Sequence, residues 1–548
     1  MKKYLLLSIF CAGFFSASAQ TKTEVKPFTK PKLVVGIVVD QMRYDYLVRF
    51  WDRYQDGGFK RLVNEGFNCK NNHFNYIPTY TAVGHSSVYT GTTPSIHGII
   101  GNNWYDKVED RVVYCTEDAK ANPVGTTSDA GKMSPWRMTS STMTDQLKLA
   151  TVSKGKVIGV SVKDRGSILP AGHAADAAYW FHGSDEGVWI TSDYYMEELP
   201  KWVKKFNKSD AAESYKKVWN TLYDIDTYTQ SIADENPYEG AFKTEKAAVF
   251  PHDLPALWEE NGQFDMVKSV PFGNSLTADF AMAAIEGEDL GQDEITDFLA
   301  LSFSSSDYVG HRYGVSAVET EDMYLRLDLD LARLLEFLDQ KVGEGQYTVF
   351  LTSDHAAVEV PAYLEDLKIS GGYADNKEFH AKLNEFLKDT FDSDALIKNI
   401  SNGQIFLDQE IVKELGITSR VIEDAIVNEI KNYDHIGQAY TGYAMRNTEF
   451  NQGIAGKLQA GYNFKRSGDV VFVWDAGYLA TSSRTGTSHG SGYAYDTHAP
   501  LIFFGKGIKH GETVELTEIP DIANTITALL GITFPSGKNG EPISEVLE

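Results

Sequence analysis

Lys32-Leu-Val-Val-Gly-Ile-Val-Val-Asp40 carries no polar side chain between its two charged ends. A strand with one wet face alternates apolar and polar residues. A continuous β-branched run describes a strand covered on both faces, as in a parallel sheet. Similar runs recur at 157–162, 298–303, 347–352, 470–474 and 500–504. Helical patterns lie between several of them. Tyr324, Leu327, Leu331, Leu334, Leu335 and Leu338 form one amphipathic stripe, which reads as core rather than as cofactor contact. Strands alternating with helices predict an α/β fold: a mostly parallel sheet sandwiched by helices.

Two stretches break the rhythm. Residues from about 190 to 265 are rich in Trp, Tyr, Lys and Asp, and residues from about 358 to 467 carry their own helices and weak strands. Both read as insertions on one core that shape the mouth of its site, so the 548 residues describe one large domain rather than several in series. Ahead of it, residues 1–19 have the plan of a cleaved signal peptide: Lys2 and Lys3, a short apolar stretch, then Ala17-Ser18-Ala19. Residues 20–31 read as a polar tether. No run offers the roughly 20 apolar residues of a stable membrane anchor, so the expected location is periplasmic or secreted. Cys11 leaves with the signal; Cys69 and Cys115 are then either one disulfide or two buried thiols.

Apolar residues at 42% and charged residues at 23% are ordinary globular usage, which excludes a disordered or fibrous chain. A net charge of −25 argues against a nucleic-acid partner. It also repels anionic substrates, so an anion-binding site would need a strong local positive charge.

In open α/β sheets the ligand site lies beyond the carboxyl ends of the strands. Asp40, Asp307 and Asp354 each follow a strand run. Asp307-Tyr-Val-Gly-His311 places a carboxylate and an imidazole one helical turn apart; Asp354-His355 are adjacent, and His489 sits in the Gly-rich Thr487-Ser-His-Gly-Ser-Gly492. A lone Asp-x-x-x-His pair reads as a surface salt bridge, whereas the whole set at strand ends suits Zn²⁺. Thr79 and Thr81 precede a helical stretch that ends at Gly91. Either could be only an N-cap, or a hydroxyl poised at a helix N-terminus to face an anion; spacing leaves this open.

Together, Ile77-Pro-Thr-Tyr-Thr-Ala-Val-Gly-His85, Asp354-His355 and Ile519-Pro-Asp-Ile-Ala-Asn-Thr-Ile resemble the alkaline phosphatase superfamily. Within it they resemble the type I phosphodiesterase/nucleotide pyrophosphatase branch, and there the bacterial PafA-type alkaline phosphatases. The resemblance spans essentially residues 32–548 and makes them an alkaline-phosphatase-like catalytic domain. It implies two zinc ions about 4 Å apart: Asp307, His311 and His489 on one; Asp40, Asp354, His355 and the Thr81 hydroxyl on the other. His489 is preferred to His498, nine residues on, for its Ser-His-Gly context. Thr81 is then the nucleophile that forms a phosphothreonine. Asn102 matches an asparagine that binds a phosphoryl oxygen. Lys163 and Arg165 match a pair found in the monoesterase members, where two cations suit the extra charge of a monoester.

The expected activity is therefore an exported alkaline phosphatase acting on small phosphate monoesters, without nucleic-acid partner or membrane anchor, as a monomer. A phosphodiesterase or nucleotide pyrophosphatase on the same fold is the alternative; a secreted, non-catalytic metal-containing binding protein is a remoter one. The Cys-x-Pro-x-Arg context of a sulfatase is absent at both cysteines, and the export signal disfavours a phosphoglycerate mutase relative.

Overall fold

The computed structural model describes residues 29–548. The expected signal peptide and most of the tether lie outside the described residues. Ten strands form the main sheet, in the order Gly511–Glu518, Phe67–His73, Leu501–Gly505, Tyr347–Thr352, Leu33–Val39, Asp297–Phe303, Val157–Ser161, Ala177–His182, Val188–Ser192, Pro123–Val124. The centre is parallel: Leu33–Val39 lies between Asp297–Phe303 and Tyr347–Thr352, and Asp297–Phe303 continues into Val157–Ser161 and Ala177–His182. Antiparallel pairs occur toward the edges, including Leu501–Gly505 against Tyr347–Thr352.

The opening run behaves as its composition requires. Leu33, Val35, Ile37 and Val39 enter one buried cluster, and Val34 and Val38 enter the cluster on the opposite face. Successive side chains of a strand point to opposite faces, so only an unbroken apolar run fills both. The Tyr324–Leu338 stripe packs into the first of these clusters from helix Val318–Leu338.

One expected strand belongs elsewhere. Val470–Trp474 is the third member of a separate antiparallel sheet, ordered Ile397–Ser401, Gln404–Leu407, Val470–Trp474, Ile436–Thr441. Val470 and Phe472 face the core of that unit, with Leu383, Ile422 and Ile426; Val471 and Val473 face a second cluster with Ile77 and Leu458. Covered on both sides, the strand has the unbroken pattern that mimics a central parallel strand. Val470–Trp474 thus shares a sheet with strands of the 358–467 stretch while lying beyond its expected end. The 190–265 region differs, because Trp219, Tyr228, Phe242 and Leu254 join the main core.

Cys69 and Cys115 are free, buried thiols in different clusters, so no disulfide links them. Burial pushes both up to about 12, which leaves little thiolate at neutral pH. Among the described residues no helix is long and apolar enough to cross a membrane.

Candidate active site

Parallel strands release their carboxyl ends along one edge. Val38 is level with Ser302 and Thr352, and Ser302 is level with Ser161. Asp40, Asp307, Asp354 and Lys163 therefore emerge side by side from four strands scattered through the sequence. Helix Thr81–Thr90 lies beneath them with every residue buried. It can approach because Gly84 has no side chain: a Cβ there would sit 1.9 Å from the Asp354 carbonyl oxygen.

Asp307 and His311 share one face of helix Ser305–Tyr313, Oδ1 to Nε2 3.1 Å. His489 Nε2 lies 3.7 Å from the same oxygen. His355 Nε2 lies 3.6 Å from Asp40 Oδ1, 3.6 Å from Asp354 Oδ2 and 3.5 Å from the Thr81 hydroxyl. Two metal-sized groups result: Asp307, His311 and His489; and Asp40, Asp307 and His355. Asp307 thus stands in both, between the two sets that the resemblance implies. Asp354 and Thr81 reach the second through His355.

The three imidazoles have the tautomer that a metal ligand needs. Nδ1 of His311 faces the Thr487 carbonyl at 2.8 Å, Nδ1 of His489 the Thr79 carbonyl at 2.7 Å, and Nδ1 of His355 the Ala356 carbonyl at 3.0 Å. A carbonyl only accepts, so each Nδ1 carries the proton and each Nε2 turns a lone pair into the site. Asp40 Oδ1 and Asp354 Oδ2 are buried acceptors without a hydrogen bond, pointing at His355. Imidazole and carboxylate donors converging with orphaned oxygens fit divalent metal of the zinc type.

Electrostatics agrees. Burial, with Asp354 and Asp307 nearby, holds the Asp40 carboxyl well above its ordinary range despite Lys163. Burial works the same way on Asp354 and Asp307, but His355 and His85 keep the first low and His311 and Lys163 the second. Burial lowers His355 and His489, while Asp307 raises His311 against it. Three buried carboxylates thus face one lysine, whose Nζ lies 2.7 Å from Asp40 and 2.5 Å from Asp307. Lys163, expected at phosphoryl oxygens, holds these two carboxylates in this structure.

Thr81 is the first residue of its helix, after an extended Tyr80, and no side chain caps that end. The N-cap readings of Thr79 and Thr81 therefore fall; the Thr79 hydroxyl donates to the Ser491 carbonyl at 2.9 Å. The Ala82 N–H donates to Asn102 Oδ1 at 2.9 Å, which turns the Asn102 amide N–H₂ away from the helix. Arg165, on helix Asp164–Ala171, donates to the Tyr114 hydroxyl at 3.0 Å and has a buried Nε without a partner. His498 is apart, stacked between Tyr44 and His73 and bonded to the Lys70 carbonyl.

Two supporting residues carry no readable signal of role. Gln41 takes a left-handed backbone conformation (φ 65°). Its Nε2 donates to Asp307 at 2.7 Å and its N–H to Asp354 at 3.1 Å. His85 stands 3.2 Å from Asp354 Oδ2, with Nδ1 on the Thr81 carbonyl and Nε2 on Ser302. It lies inside the quoted motif, but position alone does not reveal its contact with Asp354.

Residues 34–499 match the family described as type I phosphodiesterase / nucleotide pyrophosphatase. A Myroides odoratus protein named calcium-transporting ATPase is 46% identical over 551 residues, covering 100% of this chain and 99% of that one. Alkaline phosphatase PafA of Elizabethkingia meningoseptica is 43% identical over 549 residues, covering 100% and 99%. A crystal structure of wild-type alkaline phosphatase PafA gives a TM-score of 0.92 at 43% identity, covering 95% of this chain and 100% of that one. A variant with one threonine changed to serine and one asparagine, one lysine and one arginine changed to alanine gives 0.91. On a match that runs from residue 34 to residue 499, this chain belongs to the type I phosphodiesterase / nucleotide pyrophosphatase family.

Proposed function

We propose that the chain is a metal-dependent phosphate monoesterase, an alkaline phosphatase, with Thr81 as nucleophile. The observation that carries this is the convergence of the Thr81 hydroxyl, three imidazole Nε2 atoms and two orphaned carboxylate oxygens on one sheet edge. The full-length likeness to alkaline phosphatase PafA supports it. So does the variant of that enzyme, whose altered residue types are those of Thr81, Asn102, Lys163 and Arg165.

Two zinc ions are the proposed cofactors: Asp307, His311 and His489 hold one; Asp40, Asp354, His355 and the Thr81 hydroxyl the other. Bound there, they supply Lewis acidity to the attacking and leaving oxygens. Thr81 Oγ1 loses its proton and forms a bond to phosphorus as the bond to the ester oxygen breaks. The leaving alkoxide takes up a proton as alcohol. Water then hydrolyses the phosphothreonine, restoring the hydroxyl and releasing inorganic phosphate. The Asn102 amide N–H₂ and the Arg165 guanidinium bind phosphoryl oxygens, and Lys163, beside Asp40 and Asp307, would bind them too. The two cations, Lys163 and Arg165, favour a monoester over a diester, which carries less charge. We further place the mature enzyme in the periplasm or outside the cell, as a monomer.

ATP hydrolysis falls within the same chemistry, since a terminal phosphoryl group resembles that of a monoester; this accommodates the hydrolytic half of the ATPase name carried by one relative. Thr81→Ala tests the assignment. We expect kcat/KM for a monoester to fall by on the order of 10³-fold or more with metal content unchanged. Near-normal turnover in that variant would sink it. A matched diester hydrolysed faster than the monoester would favour the phosphodiesterase alternative.

A further inference from the structure

We propose that the cavity beside His489 receives the organic part of the ester and selects aromatic leaving groups that carry no negative charge. This rests on the monoesterase reading above. In a displacement at phosphorus the leaving oxygen departs opposite the nucleophile. Thr81 keeps company with His355, Asp40 and Asp354, whereas His489 and His311 lie across Asp307 from them. The leaving group therefore exits past His489. There a cavity of about 180 Å³ opens, bordered by His489 and by Tyr80, the neighbour of Thr81. Tyr80 meets the His489 ring edge-on at 5.7 Å.

The wall is aromatic and held in place. Trp474, Tyr478, Tyr495 and Tyr80 all border the cavity, Trp474 also packing against the core of the inserted unit. Tyr478 stacks on His435 at 4.0 Å, Trp474 packs edge-on to Phe472 at 5.4 Å, and the Tyr495 hydroxyl accepts the Gly477 N–H at 3.0 Å. Rings fixed in this way present faces and edges to a flat guest with little further ordering cost. The lining contains two acids and neither lysine nor arginine. Asp496 is occupied by the loop, accepting from Gly490 and Ser491. Asp475 has no ion-pair partner among the described residues and gives the cavity its sign. An anionic leaving group is disfavoured there, and a cationic one gains from both the carboxylate and the rings. Strand Val470–Trp474 and the residue after it supply Phe472, Trp474 and Asp475, so this selectivity is built outside the main sheet.

The test uses the metal-loaded enzyme and four monoesters: methyl, phenyl, 3-carboxyphenyl and 3-(trimethylammonio)phenyl phosphate. Comparing ratios of kcat/KM between variant and wild type cancels intrinsic reactivity. In Trp474→Ala the phenyl-to-methyl ratio falls about 5-fold. In Asp475→Asn the ammonium-to-carboxylate ratio falls about 3-fold. Ratios unchanged in both variants overturn the subsite while leaving the monoesterase reading intact. Should Trp474→Ala fail to fold, the Asp475→Asn ratio decides alone. A wild-type enzyme that turns over none of the four overturns the monoesterase reading, and this proposal with it.

Discussion

His85 contributes no atom to either metal group, yet it touches Asp354 and the Thr81 carbonyl. Groups that orient a ligand carboxylate commonly control metal affinity by about 10–100-fold. We expect His85→Gln to weaken metal binding by a factor in that range, read by chelator competition, while the fold persists by circular dichroism. An affinity equal to wild type would show that Asp354 is held without it. At this scale the sequence was informative where an acid ends a buried strand: Asp40, Asp307 and Asp354 are marked by the apolar runs before them. His489 is not: its residue type in a Gly-rich loop made it a candidate, and only its likeness to a family context separated it from His498. Gln41 acts through a left-handed turn that its residue type does not announce.

Two elements carry predictions of their own. Helix Thr81–Thr90 seats against the Asp354-His355 turn only because Gly84 lacks a side chain. Gly84→Ala forces backbone apart, at a cost of about 1–3 kcal/mol for overpacking. A lowered Tm together with a lowered kcat/KM is expected; an unchanged Tm would mean that the helix can shift without cost. Helix Val318–Leu338 carries the buried Glu319, 3.1 Å from His252 Nε2, whose Nδ1 meets Glu245 at 2.8 Å. Although burial opposes it, these glutamates raise His252 to about 9. Burial, with Glu319 and Asp234, raises Glu239 to about 10, and burial raises Glu319 despite His252. All three groups hold protons more tightly folded than unfolded. Their contribution is therefore present at low pH and is lost as pH rises: for His252 between about 6.5 and 9, for Glu239 from the ordinary carboxylate range up to about 10. Tm should fall between pH 7 and pH 10, and Glu239→Gln should flatten the decline. An equal slope in that variant would place the loss elsewhere. The misplaced strand Val470–Trp474 belongs to this scale too: an apolar run reports that both faces are covered, not which sheet covers them.

Across the whole molecule the net charge is −25, while the proposed site would draw its positive field from Lys163, Arg165 and bound metal. The outer surface thus repels the substrate that the centre attracts. Raising ionic strength from about 0.01 M to 0.15 M shortens the Debye length from about 30 Å to about 8 Å. We expect kcat/KM for highly charged phosphates to rise over that range, with less effect on singly charged esters. A flat salt profile would mean that local charge dominates the encounter. The two stretches at about 190–265 and 358–467 stand out in the sequence as departures from the strand–helix rhythm. Their different fates do not: the first merges with the main core and the second builds its own. That outcome depends on side-chain packing between segments far apart in sequence, which composition does not record.

Asp40, Asp307, the Asp354-His355 turn and His489 come from four separate places along the chain. A polypeptide made from its amino terminus has therefore completed nearly the whole sheet before residue 489 exists. Until then Asp307 and His311 wait for their third donor, and the pocket wall from Phe472 to Tyr495 is incomplete. Filling of the proposed Asp307, His311 and His489 site would therefore be a late event in the life of each molecule, after synthesis has passed the Gly-rich loop, whereas Asp40, Asp307 and His355 all precede it. A growing chain would thus carry Thr81 before the full proposed donor set is in place.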